Sequence, residues 1–197
     1  MDMIRRHYDL FMEYHESEDG GAEWNEAHDD LFRAGIVLCT AAMDAYFTDR
    51  FCEALITYIG RNGLNASLEK LLKDSGLDTE TAVSMFDKKR PKRVLSNMVR
   101  RHLSMFVTQN FKAIDKLYKG LGFEKPITYL AQEKSRRKNL LRSLEKLIER
   151  RHKIVHAGDY NQHGNLNEIN YNRLLRKIIE VRKLVQSVDS IMAENKI

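Results

Sequence analysis

The stretch NLLRSLEKLIERRHKIVHAGD, Asn139 to Asp159, holds both the pattern that sets the fold class and the residues that carry chemistry. Leu140, Leu141, Leu144, Leu147 and Ile148 fall on one face of a helix, and the pattern predicts a helix over about residues 137–157. Gly158 follows as its cap, because glycine takes the left-handed backbone that ends a helix without a steric penalty. Just before that glycine, RRHKIVHAGD (Arg150 to Asp159) gathers two arginines, two histidines and a lysine. Cations near a helix C-terminus interact favourably with the helix dipole. That is one reading of His152; the other is that it positions a substrate. Asp159, just past the glycine, either hydrogen-bonds the turn or supports a site loop.

Working outward, the same periodicity recurs and prolines are scarce, with two in the chain, so the fold class is all-α with one domain over residues 1–197. A first helix is expected over about residues 2–17, followed by a polar, glycine-bearing turn at Ser17 to Gly21. A long second helix is expected from about Glu26 to Ile59, ended by Gly60, Asn62 and Gly63. Short helices follow near residues 66–75 and 79–87. Pro91 fits the first turn of a helix to about Val107, and Phe111 to Leu121 continues with helical spacing. Gly120, Gly122 and Pro126 mark a loop. After DYNQHGNLN, a last helix carries Tyr171, Leu174, Ile178, Val181, Val185, Val188 and Met192 as a stripe for packing against other helices or a second subunit.

Hydrophobic residues make up 43% and charged residues 31% of the chain, a balance that excludes a disordered or membrane-embedded class. Cys39 and Cys52 lie inside an apolar helical pattern and read as reduced core residues of a cytoplasmic protein. The most apolar stretch, Ala34 to Met43, is too short to cross a bilayer. The opening MDMIRRHYDLF has early acids and no apolar core of the kind a secretory signal needs. The net charge of +5 is unevenly spread: residues 1–32 carry a balance of −8 and the remainder +13. A basic body attracts polyanions or is simply solvated, and residues 1–24 form an acidic arm able to fold across it or to oppose self-association.

Two patterns overlap in the motif stretch. His152 and His156 form H-x3-H, which on an ideal helix projects them about 40° apart, a spacing able to hold a metal. Lys153, however, stands where a zincin needs glutamate, and its charge disfavours a dication, so neither a metal nor a cofactor is expected. Arg151 and His156 form R-x4-H and lie about 140° apart on an ideal helix. They converge on one phosphate only if the helix loosens at Ala157-Gly158, or if a two-fold axis brings a second copy opposite the first. KKRPKR (Lys88 to Arg93), Arg100-Arg101 and Lys134 to Lys138 are basic runs that either guide RNA or form solvated surface. Walker-type glycine loops, G-x-S-x-G elbows and paired C-x2-C knuckles are absent, which argues against an ATPase, a serine hydrolase and a zinc finger.

R-H-K-I-V-H at the end of a helix resembles the R-x4-6-H motif of the HEPN superfamily. RAGIVLCTAAMDAYFTD, within the long second helix, resembles the early HEPN helix whose acidic residue faces that motif, and Asp44 matches that place. The resemblance covers roughly Leu31 to Met192. It departs from the usual pattern at position 152, where His152 stands in place of the more common asparagine or aspartate. It implies an all-α HEPN-like bundle with additional short helices. It further implies a metal-independent endoribonuclease with a composite site between two protomers, like stand-alone bacterial toxins or antiviral effectors. In that chemistry the RNA 2′-hydroxyl attacks phosphorus, His156 moves a proton, and Arg151 steadies the developing charge. His152, Asp44 and Asp159 are then supporting residues and Arg150 and Lys153 RNA contacts. Asp44 either orients Arg151 or His156 or simply pairs with a nearby base. RNA, a second copy of the chain and an antitoxin or defence-system component are the implied partners. The alternative is a HEPN module that dimerises and binds nucleotide or RNA without cutting it; a helical DNA- or partner-binding protein ranks behind both.

Overall fold

The computed structural model of the chain describes residues 26–104 and 110–196, and the expected first helix and acidic arm lie outside them. The described residues are all-α. Eight α-helices follow in order: α1 (Glu26–Asn62), α2 (Ala66–Asp74), α3 (Thr79–Ser84), α4 (Pro91–Ser104), α5 (Phe111–Lys119), α6 (Ile127–Lys134), α7 (Leu140–Ala157) and α8 (Tyr171–Glu194). A 3₁₀ turn, Met85–Asp87, continues α3. Among the described residues no β-strand forms, and one isolated bridge joins Tyr160 and Leu166.

The chain divides into two compact units. Among the described residues the first comprises Glu26–Met43 together with Gln132–Ser187, and so holds the start of α1, all of α7 and most of α8. Its buried residues follow the helical stripes: Phe32, Ile36 and Cys39 from α1; Leu140, Leu144 and Leu147 from α7; Leu174, Ile178 and Val181 from α8. The rings of Phe32 and Tyr171 meet with centroids 5.3 Å apart. Ser143 on α7 donates to Glu180 on α8 at 2.5 Å, and Lys177 donates to the Ser143 carbonyl at 2.7 Å. Apolar burial thus supplies the attraction between these helices, and the polar bonds set their register.

The second unit comprises Asp44–Ala131 and the residues from Val188 onward. Its core gathers Phe47, Phe51 and Tyr118, with Phe47 and Tyr118 edge to face at 6.0 Å and the buried Tyr118 hydroxyl donating to the Phe47 carbonyl at 2.9 Å. A buried phenol needs such an acceptor. Gly120 sits so close to Leu68 that a Cβ there would approach its side chain to 2.9 Å.

Two boundaries differ from the periodicity. Helix α6 occupies a segment to which the periodicity assigns no element: the Asp115 carboxylate accepts from the Thr128 backbone N–H at 2.9 Å and from its hydroxyl at 2.8 Å, so the cap comes from thirteen residues upstream. Helix α7 begins at Leu140 rather than near residue 137, because Asn139 before it takes a non-helical backbone (φ −113°, ψ 18°). The segment Asp29–Asn62 of α1 is long and apolar enough to span a membrane by length and composition, but 56% of its most apolar window is buried inside the protein. That burial marks it as a core helix.

Candidate functional site at the end of helix α7

The site is built by the way α7 stops. Gly158 adopts φ 59° and Asp159 φ 66°, two successive left-handed residues. The Gly158 N–H donates to the Ile154 carbonyl at 3.1 Å and the Asp159 N–H to the Lys153 carbonyl at 3.2 Å, closing carbonyls that a helix end leaves open. Glycine is required at 158 on two grounds: its backbone is left-handed, and a Cβ would lie 3.1 Å from the Tyr160 ring. The chain then turns back on itself. Asn161 accepts at its side chain from the N–H groups of His163 and Asn165, and the Tyr160–Leu166 bridge closes the loop.

Asp159 is 0% exposed, and its burial organises everything around it. Arg150 on α7 donates to its carboxylate at 2.6 Å and Arg33 on α1 at 3.2 Å. The Asn167 side chain donates to the Asp159 carbonyl at 2.5 Å. Both arginines also reach the Asn167 carbonyl, Arg33 at 3.0 Å and Arg150 at 3.2 Å, and Arg150 reaches that of Glu168. One buried carboxylate therefore ties α1, α7 and the return loop together. A buried carboxylate persists only with cations and donors around it, and here it has both.

Arg33 and Asn167 were not singled out by the sequence reading. The signal for Arg33 was present: it lies beside Phe32 and three residues before Ile36, on the buried stripe of α1, where a cation must find an acid. Asn167 had no such signal, since its role depends on the loop closing.

The remaining motif residues face the other way. His152, Lys153 and His156 are exposed, and Arg151 is half-buried, its Nε buried without a hydrogen-bond partner. The imidazoles of His152 and His156 lie near parallel, 13° between planes and 6.0 Å between centroids. Among the described residues no group of three or more His, Cys, Asp or Glu is placed to hold a metal ion. Val155, Tyr160 and Leu166 leave an apolar margin exposed in the same segment. Arg150 and Asp159, read from sequence as an RNA contact and a supporting site residue, are joined to each other in the buried knot. Asp44 lies half-buried on α1 and belongs to the second unit, whereas Arg151 and His156 belong to the first.

The arrangement thus offers a part-buried arginine fixed by Asp159 and, next to it, a second half-buried arginine with two exposed imidazoles. Such a set can bind a phosphate and pass protons to or from it. No match was found to a curated protein or to a solved structure. The model of the RiboL-PSP-HEPN family matches residues 5–194, almost the entire chain, and the protein belongs to that family.

Proposed function

We propose that this chain is a metal-independent endoribonuclease. The observation that carries the reading is the division of labour at the end of α7, where Arg150 is bonded inward to Asp159 while His156 and its neighbours are left to solvent beside Arg151. In the reaction the RNA 2′-hydroxyl attacks the adjacent phosphorus as an imidazole takes its proton. The bond from phosphorus to the 5′-oxygen breaks, and a second imidazole protonates that leaving oxygen. The products are a 2′,3′-cyclic phosphate and a 5′-hydroxyl end. Arg151 offers two parallel donors to the phosphate oxygens as negative charge builds on them. DNA lacks the nucleophile and is spared.

Within one helix Arg151 and His156 diverge by about 140°. Two copies related by a two-fold axis bring a His156 from each to one phosphate, and the exposed Val155, Tyr160 and Leu166 supply apolar surface for the pairing. The same divergence defines the second reading: a chain that does not pair this way binds RNA and does not cut it. From the family we infer a toxin or antiviral effector acting on cellular or phage RNA, with an antitoxin or other defence-system component as partner.

The test incubates the purified chain with structured and single-stranded RNA in excess EDTA, beside Arg151→Ala and His156→Ala. Cleavage leaving 2′,3′-cyclic phosphates, lost in both variants, is the expected result. An intact dimer that cuts no RNA would move the assignment to the binding module.

A further inference from the structure

A cleft of about 690 Å³ lies in the first unit between α7, α8 and the strand of loop that leads into α8. Its floor is apolar, made by Ile36, Leu147 and Leu174, and its walls are cationic. Five cations line it against two carboxylates, Glu168 and Glu180. Two of those cations are already engaged, Arg150 with Asp159 and Lys177 with Ser143 and Glu180. Lys146, Arg173 and Arg176 remain, and among the described residues none of the three is held in an ion pair. All but Arg176, whose Nε donates weakly to a backbone carbonyl at 3.3 Å, also lack a side-chain hydrogen bond.

An apolar floor with unpaired cations at its rim suits a nucleotide: the base rests on the floor and the phosphate meets the guanidinium groups. The position of Arg150 gives the cleft a direction. Lys146 and Arg150 stand one helical turn apart, about 6 Å along α7, on the wall that faces α8. The next residue is Arg151. It lies about 100° further round the helix, outside the cleft lining, so a strand leaving the cleft past Arg150 crosses the end of α7 to reach the motif face.

We propose that the cleft is a subsite for single-stranded RNA, holding an unpaired nucleotide of the strand that is cut. This inference deepens the nuclease reading and rests on it for the identity of the polymer. Arg173 and Arg176 are its principal phosphate contacts, with Lys146 opposite; the Lys177–Ser143–Glu180 bonds fix the wall that carries them. The cleft selects strands whose bases are unpaired, since a paired base cannot reach the floor.

The test uses a fluorescent single-stranded RNA and the full-length His156→Ala chain, so that binding is read without cleavage. Arg173→Glu with Arg176→Glu is compared with Arg137→Glu with Lys138→Glu, an equal charge change at exposed residues elsewhere in the same unit. The cleft pair should weaken binding roughly tenfold and lower the salt dependence by about 1.4 in log–log slope, as loss of two single-strand phosphate contacts does. The control pair should leave both within about twofold. Gln substitutions at 173 and 176, with a melting curve, separate lost contacts from lost folding. Equal weakening by both pairs, no weakening by either, or displacement of the RNA by a free mononucleotide at low concentration would overturn the subsite. Absence of cleavage by the wild-type chain, with the cleft pair still losing binding, would instead remove the nuclease reading and leave the cleft standing.

Discussion

Arg150 and Arg151 are the same residue at consecutive positions of one helix, yet they belong to two different regions of the first unit. Arg150 turns into the knot around Asp159, where a wholly buried carboxylate accepts from it and from Arg33 and the return loop closes over all three. Arg151, 100° further round the helix, stands with His152 and His156 on the side that solvent reaches. The first region is rich in ion pairs and hydrogen bonds and the second is not, although the Nε of both Arg150 and Arg151 is buried without a partner. A group whose bonds are filled holds structure, and a group whose donors remain open is available to a ligand. The knot thereby holds the helix end still beneath the open face, as a rigid support positions the side chains of a site.

The sharpest way to break this comparison is to empty the knot. Asp159→Ala leaves two arginines without their shared acid and puts alanine at a left-handed φ of 66°, so a loss of about 3–5 kcal/mol is expected in urea or thermal unfolding. Arg151→Ala should shift the same curve by no more than about 1 kcal/mol. A stable Asp159→Ala protein would show that the knot is not what holds the helix end.

Activity should reverse the order. Arg151→Ala should lower single-turnover RNA cleavage by about 10²–10³ with the melting temperature nearly unchanged, because a donor aimed at transition-state charge acts on rate and not on folding. If both variants lose activity only in proportion to their loss of folded protein, the two regions are not distinct.

Glycine 158 joins them. Gly158→Ala should cost about 1–2 kcal/mol from its positive φ alone, and more from the 3.1 Å approach to the Tyr160 ring. Gly164→Ala has the positive φ (76°) with nothing within 4 Å, so the difference between the two variants measures the ring contact. Tyr160→Ala should remove that difference.

The smallest effect is a readout of tightness. Burial pushes the Cys39 thiol up to about 12 and the Cys52 thiol up to about 11, so at pH 8 little thiolate exists to react. Both should resist alkylation in the folded chain and react in denaturant. Cys39 shares the first unit with the knot, and its alkylation should quicken in Asp159→Ala and stay slow in Arg151→Ala. Raised thiols contribute stability that is complete below their ordinary pKa of 9.0 and is lost as the pH climbs through 11 to 12, since the unfolded chain ionises first. Alkaline unfolding should accordingly steepen in that window.

Much of the fold is legible in the residues. Of the stripe Leu140, Leu141, Leu144, Leu147 and Ile148, all are buried but the half-buried Leu141; α1 runs three residues past the expected end at Ile59, and Asn65 caps α2 by accepting from the Leu68 N–H. These features depend on neighbours within a turn or two of helix. Helix α6 was not legible because its cap is the side chain of Asp115 on another helix. The R-x4-H pattern of Arg151 and His156 stands in the sequence, while the partition of the flanking residues does not: Arg150 reads from sequence as one more surface cation.

The sequence alone determined the helical class, the family motif and the glycine that ends α7, because periodicity, R-x4-H spacing and a left-handed cap are written in consecutive residues. The tertiary structure alone decided which arginine is fixed and which is open. That choice turns on Asp159 meeting Arg33, 126 residues away along the chain, and a buried charge takes whichever partners the packed helices bring to it.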